Sequence, residues 1–353
     1  MRILELITGG EPGGAQRHLV ALTQYLAAAG EEMTVVHGGG SWVASRLAGC
    51  ARIVRLPDLV RAVRPGKDWR AARQLRRMLL GDPPDLIHCH SSKAGVVGRW
   101  VAGRLGIPAV YTAHGYVFQD PTRAGWERRL YRRLEAWGAR HAAAVIALTE
   151  ADAAFAAGAG AKPRTYYIPN GVPIPPAPRR RRPGPPTVGF LGRFSREKGL
   201  DTLLPLARRE TQWRWLLAGS GPQEEMVRAA AAAAHITWLG WIEERDPDFW
   251  EAIDLLVQPS WKEGAPYTVL DAMAAGVPVV ATRVGALSSM LGAVDPALLV
   301  EPGDGAGLKR AINFAWTHRE RLGRACHQEA RARFDIQDQH RTTHAVLLEA
   351  ARR

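Results

Sequence analysis

Glu263 and the residues after it, EGAPYTVLDAMAAGVPVV over 263–280, have the types and spacing to hold an anion. A small, kinked loop, Gly264-Ala265-Pro266, opens onto a predicted helix from Tyr267 to Ala275. A helix start presents N–H groups that lack intrahelical partners, together with the positive end of the helix dipole, and both favour a phosphate. Glu263 stands beside that phosphate position, and a second carboxylate, Asp271, follows eight residues on and deeper. A strand, a glycine turn and an Ala-rich helix ending in Gly276-Val277-Pro278 also occur in any parallel α/β domain, so the pattern alone leaves the plain structural reading open. A hydrolytic carboxylate pair is a weaker reading. Residues eight apart on a helix lie roughly 12 Å apart along its axis, whereas such pairs operate at about 5 to 9.5 Å.

A second cluster lies upstream, where the predicted strand Thr187 to Leu191 runs into Gly192-Arg193-Phe194-Ser195-Arg196-Glu197-Lys198-Gly199 and then a helix from Leu200 to Ala207. Arg193 and Lys198 flank that strand-to-helix turn, at the carboxyl end of a strand, where open α/β sheets bind ligands. Cations fixed there stabilise negative charge as it develops on a departing phosphate; taken alone, the pair reads equally as surface charge. No Asp-x-Asp strand end suggests a divalent ion. Near the N-terminus, Thr8-Gly9-Gly10-Glu11-Pro12-Gly13-Gly14-Ala15 separates an opening strand from a helix Gln16 to Ala29. Its spacing is not G-x-G-x-x-G, and tight packing of helix on strand explains it as well as a ligand does. His114 follows the strand Ala109 to Thr112, and His90, in HCHSS with Ser91 and Ser92, follows another. Histidines at such strand ends are most often hydrogen-bonded structural groups.

The stretch Glu263 to Asp271 resembles the Glu-x7-Glu signature of retaining family 4 glycosyltransferases, with an Asp, one methylene shorter, as the second acid. Gly192 to Lys198 resembles that family's GR-x4-K diphosphate clamp. The resemblance implies the GT-B fold: an α/β chain of two Rossmann-like domains whose parallel sheets face across a cleft, with a C-terminal helix crossing back to the first domain. It implies Glu263, Lys198, Arg193 and His114 as the catalytic set, Glu263 on donor-sugar hydroxyls and His114 near that sugar. Asp271 would meet the ribose, and Gly264, Ala265, Thr268 and Val269 the nucleotide diphosphate. Gly13 and Gly14 would let their loop approach the donor phosphates, and His90 and Ser91 would lie on the acceptor side. No cofactor and no metal are expected, the cations replacing a divalent ion.

With 353 residues the chain is long enough for two domains, each with its own core. Its 47 Lys and Arg against 34 Asp and Glu give a formal charge of +13, which favours anionic partners without choosing among nucleotides, lipid surfaces and nucleic acid. Cys50, Cys89 and Cys326 form no paired motif, so neither a disulfide framework nor a zinc site is indicated, and a reducing cytoplasm is expected. The opening MRILELITGG lacks the h-region and cleavage site of a signal peptide. No apolar run reaches the ~18 residues of a membrane span. A soluble or peripheral protein on the inner face of the cytoplasmic membrane follows as the expectation.

Apolar runs at Ile3 to Ile7, Asp85 to Cys89, Ala109 to Thr112 and Ala143 to Leu148 alternate with segments of helical period, which predicts a parallel sheet in residues 1–172. A Pro-rich stretch with the run Arg179 to Arg182 reads as a linker over 173–186. The alternation resumes in 187–335, with Ala229 to Ala234 as a strong helix former, and residues 336–353 end the chain as a helix. Arg123 to Arg140 interleaves six arginines with Trp126, Leu130, Tyr131, Leu134 and Trp137, an amphipathic pattern suited to an anionic membrane surface. Arg61, Arg64, Arg70, Arg73, Arg76 and Arg77 add charge to the same domain. A solvated basic face over a buried aromatic stripe fits that pattern equally. The expected function is retaining transfer of a hexose from a nucleotide sugar, with uridine as the base, to a glycan or lipid-linked acceptor in polysaccharide or glycolipid synthesis. A GT-B sugar-nucleotide epimerase and a nucleic-acid binder are the alternatives; no nucleic-acid-binding motif is present.

Overall fold

Short apolar runs separated by helical stretches fold, in a computed structural model, as two α/β units, each built on its own parallel sheet. The structure describes residues 1–159, 164–179, 183–243 and 246–352. The first unit contains Met1–Gln119, Ala124–Pro169 and the chain from Asp338 onward, and the second contains Asp120–Arg123 and Asn170–Gln337.

The first unit runs β1 (Arg2–Ile7), α1 (Gly14–Ala28), β2 (Glu32–His37), α2 (Trp42–Arg46), β3 (Arg52–Arg55), α3 (Pro65–Gly81), β4 (Leu86–His90), α4 (Ser92–Leu105), β5 (Ala109–Ala113), α5 (Gly125–Arg140), β6 (Ala144–Ala147), α6 (Glu150–Gly158) and β7 (Arg164–Tyr167). Its seven strands lie in the order β3-β2-β1-β4-β5-β6-β7. Strand order reverses between β1 and β4, and in such sheets the crevice at that reversal is where ligands bind. The central strands are almost wholly buried, as two-faced parallel strands must be. β3 and β7 are the two edges, and their sequences RIVR and RTYY carry charge that an edge tolerates.

The second unit runs β8 (Thr187–Leu191), α7 (Leu200–Arg209), β9 (Arg214–Ala218), α8 (Glu224–Ala230), β10 (Ile236–Gly240), α9 (Pro247–Ala252), β11 (Leu255–Gln258), α10 (Tyr267–Ala274), β12 (Val279–Thr282), α11 (Leu287–Gly292), β13 (Leu299–Val300), α12 (Gly305–Thr317) and α13 (Arg319–Arg333). The order β10-β9-β8-β11-β12-β13 reverses between β8 and β11. Of the Ala-rich run 229–234, only Ala229 and Ala230 are helical; the chain turns after Ala230 to enter β10, so tertiary context overrides propensity there. The Pro-rich stretch after Asn170 packs on this unit. Arg179 N–H donates to Ala275 O at 3.0 Å, and Pro178 lies so close to Gly276 that a Cβ there would meet it at 2.6 Å. The rest of the arginine run, residues 180–182, lies outside the described residues.

The last helix, α14 (Ile336–Ala351), returns to the first unit. Val346, Leu347 and Ala350 pack among Ile3, Leu22, Leu26, Leu86 and Ile168, and Leu347 is fully buried. Polar contacts fix its register: His344 Nε2 meets Glu31 Oε1 at 2.8 Å, and Tyr166 Oη donates to Glu349 Oε2 at 2.7 Å. Among the described residues no helix is long and apolar enough to cross a membrane.

Candidate active site

In the second unit the reversal between β8 and β11 gathers the loops that follow those strands. Gly199, at φ +72°, brings them together: a Cβ on it would lie 1.9 Å from Pro259 O, so a side chain is excluded. Trp261 N–H donates to Glu197 O at 2.8 Å across the same junction. This stitching sets Lys198 Nζ 2.7 Å from Glu263 Oε1. The same oxygen also accepts from Gln258 Nε2 at 2.8 Å and Ser260 Oγ at 2.7 Å, while Oε2 has no partner among the described residues. Glu263 is buried and Lys198 partly exposed, so the cation stands at the mouth with its carboxylate behind it.

Helix α10 begins four residues after Glu263. The N–H of Thr268 has no partner among the described residues, as a helix start allows. The N–H of Val269 is turned back to Pro266 O at 3.2 Å, so Thr268 is the more available donor. Gly264 O is taken by Ala286 N–H and Ala265 O by Asn170 Nδ2, each at 2.8 to 2.9 Å, which fixes the loop ahead of the helix. Asp271 is buried on α10. Arg193 is exposed on the loop after β8, bonded neither to Lys198 nor to Glu263. Gln258 and Ser260 belong to this cluster yet were not foreseen; nothing in their types marks them apart from a strand end.

In the first unit the reversal between β1 and β4 holds the glycine loop, with Gly13 at the N-cap of α1 and Gly14 as its first residue. This loop packs on a second glycine turn, Gly38-Gly39-Gly40: a Cβ on Gly10 would meet Gly39 O at 2.6 Å, and one on Gly40, at φ +88°, would meet Gly10 C at 2.6 Å. That contact gives the glycines a packing reason. Beside it lies a chain of buried polar groups. β1 and β4 pair in register with Glu5 beside His88. His88 Nδ1 is 3.1 Å and His90 Nε2 2.6 Å from Glu5 Oε2; His88 Nε2 meets Thr112 Oγ1 at 2.7 Å, and His90 Nδ1 meets His114 Nε2 at 2.9 Å.

His90 is thereby corrected. It is fully buried with both ring nitrogens engaged, so it cannot meet an acceptor. The hydroxyl of Ser91, expected on the acceptor side, is bonded to Thr8 Oγ1 at 2.7 Å, and Ser91 is the one non-glycine residue at positive φ, +67°, among the described residues. His114 is partly exposed at the end of β5 and remains available. The imidazoles of His18, His90 and His114 bring nitrogens within 4.8 Å of one another, as metal ligands would, but the His90 and His114 nitrogens are bonded to each other.

Burial works against a charged Glu5, but the imidazoles of His88 and His90 outweigh it and hold the carboxyl down at about 2. Burial pushes His90 down to about 4, and pushes His114 well below the ordinary histidine value. The unfolded chain therefore takes up protons on these histidines first. The contribution of His90 to stability is complete above about pH 6.5 and is lost as pH falls toward 4, with that of His114 lost in the same direction; that of Glu5 is complete above about 4.5 and is lost toward 2. Thermal unfolding followed from pH 8 to 3 should fall in these two successive windows, and His90→Gln should flatten the upper one.

On the outer face of the same unit, α5 turns Arg128, Arg129, Arg132 and Arg133 to solvent together with Trp126, 67% exposed, and Leu130, 44% exposed. Its inward side is Glu135, Gly138 and Ala139 rather than an aromatic stripe. A groove of about 690 Å³ beside it is lined by Arg129, Arg132, Arg133, Arg140 and Phe155.

Residues 13–171 match the family described as Glycosyl transferase 4-like domain, and residues 185–318 match Glycosyl transferases group 1. A 2-deoxystreptamine glucosyltransferase of Streptomyces kanamyceticus is 31% identical over 261 residues, which cover 65% of this chain and 67% of that one. An Escherichia coli UDP-Gal:alpha-D-GlcNAc-diphosphoundecaprenol alpha-1,3-galactosyltransferase is 24% identical over 65% of each chain. The fold is that of Anabaena HepE, solved in complex with UDP and glucose: TM-score 0.81 at 20% identity, over 99% of this chain and 100% of that one.

Proposed function

The chain belongs to the two-domain glycosyltransferases whose halves are the 4-like and group 1 domains, and from that membership we propose that it is a retaining hexosyltransferase using a uridine diphosphate sugar. The observation that carries this reading is the Lys198–Glu263 pair, 2.7 Å apart, at the strand-order reversal and just before the start of α10. An incoming diphosphate competes for Lys198 and leaves Glu263 to accept hydroxyls of the donor sugar. Lys198 and Arg193 take up the charge that grows on the departing diphosphate, with the Thr268 N–H adding a neutral donor, so no metal is required. Asp271 takes the ribose. The acceptor oxygen attacks from the leaving-group face: its bond to the anomeric carbon forms as the sugar–phosphate bond breaks, and its proton passes to the diphosphate.

Uridine and a lipid-linked or glycan acceptor are supported by what relatives are named for, including the E. coli galactosyltransferase and UDP-bound HepE. The test is product analysis with α-configured UDP-hexoses, with and without lipid diphosphate-sugar acceptors. An α-linked product formed at an unchanged rate in EDTA is expected. A β-linked product contradicts retention, and an epimerised donor formed without acceptor contradicts transfer.

The arginines and exposed Trp126 and Leu130 of α5 are assigned to an anionic membrane surface, where each cation contributes about 1 kcal/mol. Arg129→Glu combined with Arg132→Glu and Arg133→Glu should abolish co-sedimentation with phosphatidylglycerol vesicles at low salt. Wild-type protein that stays in the supernatant removes the assignment.

A further inference from the structure

Gln258 ends β11, the second-unit strand at the order reversal, and its side chain is 1% exposed. The contacts around it order the protons. The Glu263 carboxylate is paired with Lys198, and an ionised carboxylate only accepts. Gln258 therefore turns Nε2, not Oε1, to Glu263 Oε1 at 2.8 Å, and Ser260 Oγ gives its one proton to the same oxygen at 2.7 Å. Ser260 Oγ is left as an acceptor, which the second Nε2 proton reaches at 3.1 Å. Both amide protons are thus spent. Gln258 Oε1 is stranded: it is buried and has no hydrogen-bond partner among the described residues. An unmet buried acceptor costs stability, which an apolar side chain continuing Leu255, Leu256 and Val257 would not.

We propose that Gln258 is a positioning residue for sugar transfer: it keeps Glu263 Oε1 anchored once Lys198 has turned to the incoming diphosphate, so that Oε2 stays aimed at the donor sugar. This rests on the reading of Lys198 and Glu263 as the donor site. Of the three donors on Oε1, Lys198 alone is partly exposed, while Gln258 and Ser260 are buried. The diphosphate can therefore draw away only the lysine. Without Gln258 the carboxylate is held by a single hydroxyl, which has itself lost its own donor, and it can rotate after the ammonium. Side chains that handle substrate keep their aim only when the groups behind them lock the rotamer.

Gln258→Met keeps nearly the same length without a donor, and Gln258→Leu repeats the test with a second apolar shape. Thermal shift with UDP, and with whichever of UDP-glucose and UDP-galactose shifts the wild type more, reads the sugar contact without turnover. In both variants the UDP shift should match the wild type, the UDP-hexose shift should shrink, and kcat should fall at least about tenfold. Without ligand, both variants should melt no lower than the wild type, because the stranded acceptor is gone. Variants in which both ligand shifts change alike, in which kcat stays at the wild-type value, or which melt several degrees lower overturn the proposal and leave the donor site standing. A wild-type protein that neither UDP nor either UDP-hexose shifts fails the donor-site reading itself, and the proposal falls with it.

Discussion

Lys198→Ala should lower kcat by roughly 100- to 1,000-fold, the usual effect of removing one preorganised donor from a developing oxyanion. Lys198 is the cation bonded to the buried Glu263, so its loss also leaves that carboxylate with two neutral donors, Gln258 and Ser260. A cost of about 1–3 kcal/mol in stability follows from an imperfectly satisfied buried acceptor, a few degrees in Tm for a unit of this size. Steady-state transfer assays beside thermal unfolding separate the two effects. Glu263→Gln keeps the shape but donates where the carboxylate accepts, and should lose activity to a similar degree while Lys198 loses its counter-charge. Wild-type kcat in either variant removes both residues from the chemistry.

Leu347→Ala should destabilise the first unit by about 2–5 kcal/mol, the range for truncating a buried leucine. Leu347 lies on the last helix with no exposed surface, among Ile3, Leu22, Leu26 and Ile168, which come from far earlier in the chain. Leu347→Asp should be worse, since it buries a charge without a partner. Arg341→Ala is the control on the same helix: its side chain is 73% exposed, and the change should stay within about 0.5 kcal/mol. Calorimetry decides; a Leu347→Ala protein that melts with wild type would mean that the helix does not complete this core.

The parallel alternation and the loop-to-helix step after Glu263 could be read from the sequence because each rests on local signals. Uninterrupted apolar runs such as Leu255 to Val257 become central strands, and the acid–glycine–helix stretch at Glu263 keeps its chemistry in consecutive residues. β3 and β7 escaped because RIVR and RTYY are edge strands with charge where a central strand is apolar. The histidine network was hidden for the opposite reason. Its members are distant in sequence and meet only when β1, β4 and β5 pair in register, which sets Glu5 beside His88 and His90 beside Thr112. One signal was available: a lone glutamate inside RILELI, in a strand buried on both faces, must have partners. His90 was placed at the acceptor because strand ends face the crevice, but being in a central strand buried it, and the partly exposed member of the pair is His114.

The central claim, a nucleotide site built around Lys198 and Glu263, is tested most directly by thermal shift of the wild-type protein and Lys198→Ala with UDP, GDP, ADP and CMP. A nucleotide at a hundred times its Kd stabilises by about 2.7 kcal/mol. The account predicts that UDP raises the wild-type Tm by several degrees, and that the same concentration raises that of Lys198→Ala far less. No shift with any nucleotide, or an equal shift in both proteins, would contradict it.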